Sequence, residues 1–410
     1  MRKLRRLVKD LISQHHFVLA HGFLSSLPRS LKGLLARIAS RLSIFYGIYS
    51  SSIEVCMRAL KLSRSRNRRS FLLAGLFGTA LATALLFPSL SLTAQARTVV
   101  DMSGTPVEIK DTPAFIADLW FAHNEILVML GAADKIRVTA EKPADRPWLF
   151  KIAPVLLKAE TGVHAETVNP EDLLSRHIDL VIVPQRGQAD ALRKLGLPTL
   201  HAQYTTVPQM LQSIDMTADA LSTSHAHDVA RAYRQKMDTL TSLLQSRVSR
   251  LPASARPRVL HIAALNPLQI DGQNTMIDTW IKTAGGENAA TVSGNHRPTT
   301  FEQIATWNPD IIILGATAGE VDPSSPLRFL PAFQQRKWAR NPQGVFPWDR
   351  YGCEELLQLE WAAKLFHPAE FADLDMRQDV RTFYHSFFHY ALTEEDITRI
   401  LAAQPPARTP

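Results

Sequence analysis

A helix–strand unit that occurs twice constrains the fold of this chain more than any other feature of the sequence. The first unit leads from a helical stretch at Glu171 to an aliphatic strand that opens at Asp179, and the second leads from Glu302 to a similar strand that opens at Asp310. The aspartate follows the glutamate by eight residues in both units, and the units lie 131 residues apart. Uninterrupted aliphatic runs are typical of strands covered on both faces. The repeat therefore predicts two similar α/β lobes, each with its own parallel sheet, although other α/β proteins also contain such units.

A stretch of 35 residues without glycine or proline lies between the two units, at 217–251. Its apolar positions, such as Val229 and Met237, are near helical spacing. A helix of this length would reach roughly 50 Å, which is more than one small domain. We therefore expect an α/β protein with two Rossmann-like lobes, over 97–216 and 252–410, whose central sheets are mostly parallel. One long interdomain helix over 217–251 is expected to join them.

Short β-branched runs and turn residues predict the elements that open the first lobe. Residues 98–100 and 107–109 are expected to form a hairpin. Residues 115–119 are expected to form a buried strand, and residues 124–130 a helix that Gly131 closes.

The positive charge of the chain is concentrated near its N-terminus. The formal net charge is +8, but residues 1–96 hold 15 of the 46 Lys and Arg residues and 2 of the 38 Asp and Glu residues. Residues 97–410 therefore carry a net charge of −5. Because neutralising phosphates needs clustered Lys and Arg, this balance argues against a nucleic-acid partner for the globular part.

Residues 57–96 have the three-part layout of an export signal. Arg68 and Arg69 directly precede an uncharged apolar run at 71–87, and Ala94 and Ala96 offer small residues to a signal peptidase. The paired arginine followed by Phe-Leu resembles the twin-arginine type of signal. We expect cleavage after Ala96 and a mature protein in the periplasm. An uncleaved membrane anchor stays open, because 17 apolar residues lie at the lower edge of what spans a bilayer.

Residues 1–56 precede this leader and are too long for an ordinary signal n-region. Met57 would be a natural start, so our hypothesis is a basic extension that results from a mis-assigned start codon. The alternative is a basic amphipathic element that lies on a membrane. Cys56 would be lost with the leader, and Cys353 would then be the one cysteine of the mature chain, which excludes an intrachain disulfide.

The sequence contains no nucleophile elbow, P-loop, dinucleotide glycine fingerprint, zincin motif or paired-cysteine metal site. Their absence weakens an enzymatic interpretation. A metal-cluster enzyme is also disfavoured, because such clusters need several thiolates.

Several segments, taken in order, resemble the iron-siderophore and cobalamin class of periplasmic solute-binding proteins, known as class III. The resemblance covers essentially all of 97–410. The segments are DMSGTPVEI at 101–109, NPE at 169–171 before IDLVI at 178–182, AGGENA at 284–289, FEQI at 301–304 before NPD at 308–310, and YGCEEL at 351–356 before WAAK at 361–364.

The resemblance implies a monomeric, non-enzymatic receptor without a cofactor. It implies two α/β lobes joined by one long helix, with the ligand in the cleft between the lobes. The loaded protein would dock on the permease dimer of an inner-membrane ABC transporter. An exposed glutamate on each lobe pairs with permease arginines in this family, and those positions match Glu171 and Glu302 here. The alternative, that both are only acids favoured at helix N-termini, stays open.

The ligand pocket is expected in loops at the carboxyl ends of the strands, where open α/β sheets leave a crevice. Aromatic rings would cover a large chelate, and guanidinium groups would bind its anionic parts. The candidates with such groups, or with a polar side chain in the same loops, are Trp120, His123, Trp148, Arg186, Tyr204, Asn266, His296, Arg297, Trp348, Arg350 and Tyr351.

Each candidate also has a structural interpretation. Trp120 and Trp148 are alternatively part of a lobe core, and Arg186 or Arg350 is alternatively part of an ion pair. His123 and His296 could coordinate a metal directly, although most single histidines do not.

We expect the ligand to be a metal chelate, with an iron(III)-siderophore as the first choice. Cobalamin, haem, molybdate and a nickel complex are alternatives within the same class. An alternative from another class is a membrane-anchored sensor or scaffold that retains residues 1–96.

Overall fold

The computed structural model describes residues 96–407, which fold into two α/β lobes. The predicted extension 1–56 and the predicted leader 57–96 lie outside the described residues, apart from Ala96. Within 96–407, no helix is both long enough and apolar enough to cross a membrane.

The N-terminal lobe opens with an antiparallel hairpin of β1 Ala96–Val100 and β2 Pro106–Lys110, as the sequence predicts. A fully parallel sheet follows in the spatial order β5-β4-β3-β6-β7. Its strands are β3 Ile116–Asp118, β4 Ile136–Thr139, β5 Glu160–Thr161, β6 Leu180–Val183 and β7 Thr199–His201. The helices of this lobe are α1 Asn124–Met129, α2 Pro147–Ile152, α3 Pro170–Ser175, α4 Arg186–Lys194 and α5 Val207–Leu221.

The single helix predicted over 217–251 is wrong in its boundaries, because two helices occupy this region. Ser222 adopts a left-handed conformation with φ 55, and the hydroxyl of Thr223 caps the N-terminus of α6 Ser224–Val248. A Ser or Thr side chain offers the backbone a partner outside the helix, so two such residues end one helix and start the next without glycine or proline. α6 alone has 25 residues and reaches roughly 37 Å.

The C-terminal lobe contains a mixed sheet in which β8 pairs with β12 and β10 in parallel and with β9 antiparallel. Its strands are β8 Arg258–Leu265, β9 Leu268–Asp271, β10 Glu287–Asn288, β11 Arg297–Pro298, β12 Ile311–Leu314 and β13 Trp338–Arg340. Its helices are α7 Met276–Thr283, α8 Phe301–Trp307, α9 Pro331–Gln334, α10 Glu355–Phe366, α11 Met376–Phe387 and α12 Glu394–Leu401. The predicted two-lobed α/β fold class is confirmed.

The aliphatic strands of the repeat are covered on both faces, as their composition predicts. In β6, Leu180 and Ile182 point into the largest core, whereas Val181 and Val183 point into a core on the opposite face. β12 alternates in the same way: Ile313 points into the largest core, whereas Ile312 and Leu314 point into a separate core. Each sheet therefore contributes one face to a core that both lobes share.

The C-terminal helices pack across the boundary between the lobes, which the predicted boundary at 252 does not capture. Lys151 Nζ in α2 lies 2.7 Å from Asp396 Oδ1 in α12. Tyr233 in α6 donates a hydrogen bond from its hydroxyl to the carbonyl of Cys353 at 2.7 Å. Residues after β13 therefore contact the N-terminal lobe and α6 as well as their own lobe.

Candidate functional site

The carboxyl edges of the two sheets meet at a junction between the lobes. The ring of Phe121, which follows β3, stacks on Phe346 with centroids 5.9 Å apart. Tyr204, which follows β7, donates a hydrogen bond from its hydroxyl to the backbone carbonyl of Tyr351. Asn295 donates from Nδ2 to the Tyr351 hydroxyl at 2.7 Å. These contacts define an interlobe site formed by Phe121, Arg146, Tyr204, Asn295, Phe346 and Tyr351, and we include Arg350 because it directly precedes Tyr351 in the chain.

The wall contributed by the N-terminal lobe carries an arginine and a buried carboxyl group. The guanidinium of Arg146 lies over the ring of Phe346, 4.7 Å from its centroid. Arg146 Nε also lies 3.3 Å from Oε1 of Glu141, whose side chain is 4% exposed. Burial raises the pKa of Glu141 to about 7, although Arg146 opposes the shift. Glu141 therefore changes charge near neutral pH in direct contact with a residue of the interlobe site.

The wall contributed by the C-terminal lobe contains a cluster of four charged side chains, which we call the histidine–aspartate cluster. His261 in β8 is fully buried, with Nδ1 2.8 Å from Oδ2 of Asp271 and Nε2 2.8 Å from Oδ2 of Asp349. Nη1 of Arg350 lies 3.0 Å from the same Asp271 oxygen. The side chain of Arg350 is 14% exposed, so this guanidinium is nearly withdrawn from solvent.

Each charge in the histidine–aspartate cluster is stabilised by its neighbours. Burial opposes charge on His261, but the two carboxylates that lie 2.8 Å from its ring nitrogens outweigh burial and raise the pKa of His261. Burial likewise opposes charge on Asp271 and Asp349, yet His261 and Arg350 hold the pKa of both carboxyl groups below the ordinary range. The neighbours therefore favour the charged form of all four side chains in the cluster.

The loop before β11 is tied to this cluster through its backbone. The backbone N–H of His296 donates to Oδ1 of Asp271 at 2.9 Å, and His296 adopts a left-handed conformation with φ 51. The preceding residue, Asn295, contacts Tyr351 as described above. The His296 imidazole lies 3.3 Å from Gln269 Oε1 through Nδ1 and is exposed. Asp271 therefore positions both Arg350 and the Asn295 loop.

Two of the three predicted tryptophans are core residues, which corrects their assignment as ligand contacts. Trp148 is 1% exposed, and its Nε1 donates to the carbonyl of Gln404 at 2.9 Å. Trp348 is fully buried, and its Nε1 donates to Oε1 of Glu354 at 2.8 Å. Both indoles fill space between secondary-structure elements and have satisfied polar groups, so neither offers a face to a ligand.

Trp120 lies behind the junction. It is 4% exposed, its ring is T-shaped against Tyr204 with centroids 5.1 Å apart, and Tyr204 is 1% exposed. The structure thus places both residues together beside Tyr351, as supports for the interlobe site.

His123 is also a core residue, which corrects its assignment as a ligand or metal contact. It is fully buried, with Nδ1 2.8 Å from Oδ2 of Asp118 and Nε2 2.9 Å from the hydroxyl of Thr217. Both ring nitrogens are therefore already engaged. In the part of the chain that the structure describes, no group of three or more His, Cys, Asp or Glu side chains is arranged to hold a metal ion.

Three further predicted residues are exposed. Arg186 is 67% exposed, with Nε 3.7 Å from Oδ2 of Asp190. Asn266 lies in the turn between β8 and β9, and Arg297 lies in the edge strand β11. The contacts formed within 96–407 do not join these three residues to the interlobe site.

Sequence reasoning missed several residues of the site. Phe121 and Asn295 each neighbour a predicted residue in the same loop, so the loop argument itself could have included them. His261 had a different signal, since a histidine in the middle of an aliphatic strand run must find polar partners when it is buried. Arg146 and Glu141 lie between β4 and the predicted Trp148, so the same segment was considered but its charged residues were not included.

Comparisons with known proteins agree with this architecture. The family model described as "Periplasmic binding protein" matches residues 121–325, which is half of the chain. The molybdate-binding protein MolA of Haemophilus influenzae is 24% identical, and the match covers 78% of this chain and 99% of that protein.

Solved structures show the same fold. A periplasmic solute binding protein from Veillonella parvula is 26% identical, with a TM-score of 0.66, and the match covers 75% of this chain and 97% of that one. The structure of Haemophilus influenzae MolA bound to molybdate is 19% identical, with a TM-score of 0.64, over 72% of this chain and 99% of that one. The vitamin B12 binding protein BtuF of Vibrio cholerae is 20% identical, with a TM-score of 0.51, over 63% of this chain and 98% of that one.

Proposed function

We propose that this chain, which belongs to the periplasmic binding protein family, holds a small oxyanion of the molybdate class in its interlobe site and delivers it to an ABC importer. The observation that carries the proposal is the nearly buried guanidinium of Arg350 at the junction of the lobes. Its Nη1 forms an ion pair with Oδ2 of Asp271 at 3.0 Å, and its Nε lies 4.0 Å from Oδ2 of Asp349. A planar donor held in place at low exposure suits a tetrahedral oxyanion.

The aromatic content of the site favours a small ligand over a large flat one. A corrinoid or a bulky chelate would need a wide aromatic surface, and the sequence offered Trp148 and Trp348 for that purpose. Both are buried in the core. Phe121 and Tyr351 remain at the junction with partial exposure, which is a smaller apolar surface than the sequence suggests.

The relatives support the same ligand class. The protein from Haemophilus influenzae with 24% identity is named for molybdate, and the match spans nearly its whole length. We therefore place molybdate, and the similar tungstate ion, ahead of the other ligands.

An iron(III)-siderophore is the second candidate, and one observation favours it. Phe121, Phe346 and Arg146 form a stack of two rings and a guanidinium at the junction. Such a stack could hold the arene of an anionic iron chelate through ring and cation–π contacts.

Delivery to a permease would use one glutamate on each lobe. Glu171 is the second residue of α3 and Glu302 is the second residue of α8, and both are exposed. The backbone at the start of α8 and the hydroxyl of Thr300 lower the pKa of Glu302, so this carboxylate stays ionised. Two exposed charges on separate lobes would set the register of docking and speed encounter with a basic partner surface.

Export would follow from the leader predicted over 57–96. The family works in the periplasm, so the mature chain is expected to begin at Arg97 and to act there as a monomer. N-terminal sequencing of the protein recovered from the periplasm tests this expectation, and recovery of residues 1–96 in a membrane fraction would support the anchored sensor instead.

Calorimetric titration of the purified chain tests the ligand. Molybdate and tungstate are expected to bind with one site per chain, and an iron(III)-catecholate is expected to bind more weakly. Arg350→Gln should weaken molybdate binding at least about tenfold, since a hydrogen bond to a charged group contributes about 1.5–3 kcal/mol. Arg231→Gln is the matched control, because Arg231 is 72% exposed on α6 and pairs with Asp228. Tight binding of the catecholate without binding of either oxyanion would select the siderophore.

A further inference from the structure

We infer, resting on the proposed oxyanion function, that His261 is a positioning residue whose imidazolium balances Asp271 and Asp349 so that Arg350 presents its outer N–H groups to the bound anion. His261 itself is fully buried and does not contact the ligand.

The short distances favour a doubly protonated ring: the Nε2 contact is a hydrogen bond, and the Nδ1 contact is an ion-pair distance. Nδ1 and Nε2 each lie 2.8 Å from an aspartate oxygen. An ionised carboxylate accepts hydrogen bonds and cannot donate them, so both ring nitrogens must carry hydrogen for both contacts to be favourable. A neutral imidazole would leave one nitrogen lone pair facing a carboxylate oxygen in a buried place, which is costly.

The charge count explains what the imidazolium does for Arg350. With His261 charged, two cations balance two aspartates and the cluster is neutral. With His261 neutral, Arg350 alone faces Asp271 and Asp349, so the cluster carries one negative charge. That charge would repel an oxyanion and would draw the guanidinium back toward the aspartates.

Within residues 96–407, the carboxylates of Asp271 and Asp349 are the polar partners of the His261 ring. The charged or titratable groups that face it are Asp271 from β9, Asp349 and Arg350 from the loop after β13, and His296 from the loop before β11. Burial and the nearby Arg350 lower the pKa of His296, so this second histidine does not supply the missing charge.

Two uncharged neighbours complete the enclosure of His261. Trp280 of α7 packs edge-on against its ring, with centroids 6.1 Å apart. Gly315, which follows β12, leaves space for the ring, because a Cβ at this position would lie 3.3 Å from Cε1 of His261.

The pH dependence of molybdate affinity tests the role of His261. The pKa of His261 is raised, so its charge is lost only as the pH rises through that raised value. The molybdate affinity of the wild type is expected to fall about tenfold over that pH range, and we call this fall the alkaline limb of the pH profile. His261→Gln should bind about tenfold more weakly at pH 6.5 and, when both proteins also carry Glu141→Gln to remove the titration of Glu141, should lose the alkaline limb. His367→Gln is the matched control, because His367 is buried with one hydrogen bond to the carbonyl of Gly285 and should retain the limb.

A second measurement does not depend on ligand, and its wild-type part does not depend on the fold of a variant. In the full chain labelled with ¹⁵N-histidine, both His261 nitrogens should show the shifts of protonated imidazolium at pH 7. Asp349→Asn, which keeps the side-chain shape, should lower the midpoint of this titration by about one pH unit or more. A neutral His261 at pH 7 would overturn the inference, as would an unchanged alkaline limb in His261→Gln. Absence of molybdate binding by the wild type at every pH would instead overturn the proposed function, and the nuclear magnetic resonance titration would still decide the charge of His261.

Discussion

The carboxylate of Glu125 in the N-terminal lobe accepts a hydrogen bond from the backbone N–H of Cys353 in the C-terminal lobe, with Oε1 and N 3.0 Å apart. Glu125 is 1% exposed, and its other oxygen has no hydrogen-bond partner within the described residues. The neighbouring Glu354 is fully buried and accepts from the indole of Trp348. The junction of the lobes is therefore built on two buried carboxyl groups that repel each other when both are ionised.

Burial and this mutual repulsion make the stability of the protein depend on pH. Burial raises the pKa of Glu354 to about 7 and that of Glu125 well above its ordinary value. Between about pH 5 and 7 the folded chain binds more protons than the unfolded chain, so the free energy of unfolding falls as the pH rises. Thermal melts should show a lower Tm at pH 8 than at pH 5.5. Glu125→Gln should recover on the order of 1–2 kcal/mol at pH 8, whereas Glu287→Gln, at an exposed position, should change nothing.

Trp348 is expected to matter for stability and not for ligand affinity. Trp348→Phe removes buried volume and the hydrogen bond to Glu354, so it should cost roughly 2–3 kcal/mol in chemical unfolding. Trp338→Phe is the control, because Trp338 is 40% exposed and should cost less than about 0.5 kcal/mol. If folded Trp348→Phe loses more than twofold in molybdate affinity, Trp348 contributes to ligand binding after all.

Glu141 is expected to weaken oxyanion binding as it ionises. Its pKa of about 7 means that a negative charge develops beside Arg146 as the pH rises from 6 to 8. Molybdate affinity of the wild type should fall over this interval, and Glu141→Gln should reduce that fall, leaving the part that His261 causes, and bind more tightly at pH 8. Titrations at pH 6, 7 and 8 measure the effect, with Glu166→Gln as an exposed control in the same lobe. An identical fall in Glu141→Gln would show that other groups cause it.

Charge reversal at the predicted docking glutamates should separate delivery from capture. Glu302→Lys is expected to lower ligand-stimulated ATP hydrolysis by the reconstituted importer severalfold and to leave ligand affinity unchanged, because Glu302 is exposed on α8 and away from the junction contacts. Glu320→Lys serves as control, since its side chain is 95% exposed on the same lobe. If Glu302→Lys and the wild type stimulate ATP hydrolysis equally, Glu302 is not part of the docking surface.

The lobes could be predicted because the signals behind them are local. The aliphatic run at β6 and its counterpart at β12 predict buried strands wherever they occur in a chain. The end of α5 was missed for the opposite reason, because Ser222 and Thr223 break a helix by backbone conformation and capping, which composition does not reveal. A stretch without glycine or proline therefore predicts helical structure but not the continuity of one helix.

The candidate site was only partly predictable, because residues of the same type in the same kind of loop have different surroundings. Arg350 and Tyr351 lie at the junction, whereas Trp348, two residues earlier, lies in the core beneath it. The sequence places all three after one strand, and the direction of each side chain depends on how the loop packs against Glu354 and the C-terminal helices. No local pattern encodes that packing.

By itself the sequence determined the repeated α/β lobes, because strand burial and helix periodicity are properties of short segments. Tertiary structure alone decided that His261 is placed between Asp271 and Asp349, residues 10 and 88 positions away. Charges separated by that much chain interact only after β8, β9 and the last loop have packed, since electrostatic contacts depend on distance in space and on exclusion of water. For this reason the binding chemistry of the junction belongs to the folded protein, while the architecture that carries it could be predicted from the chain.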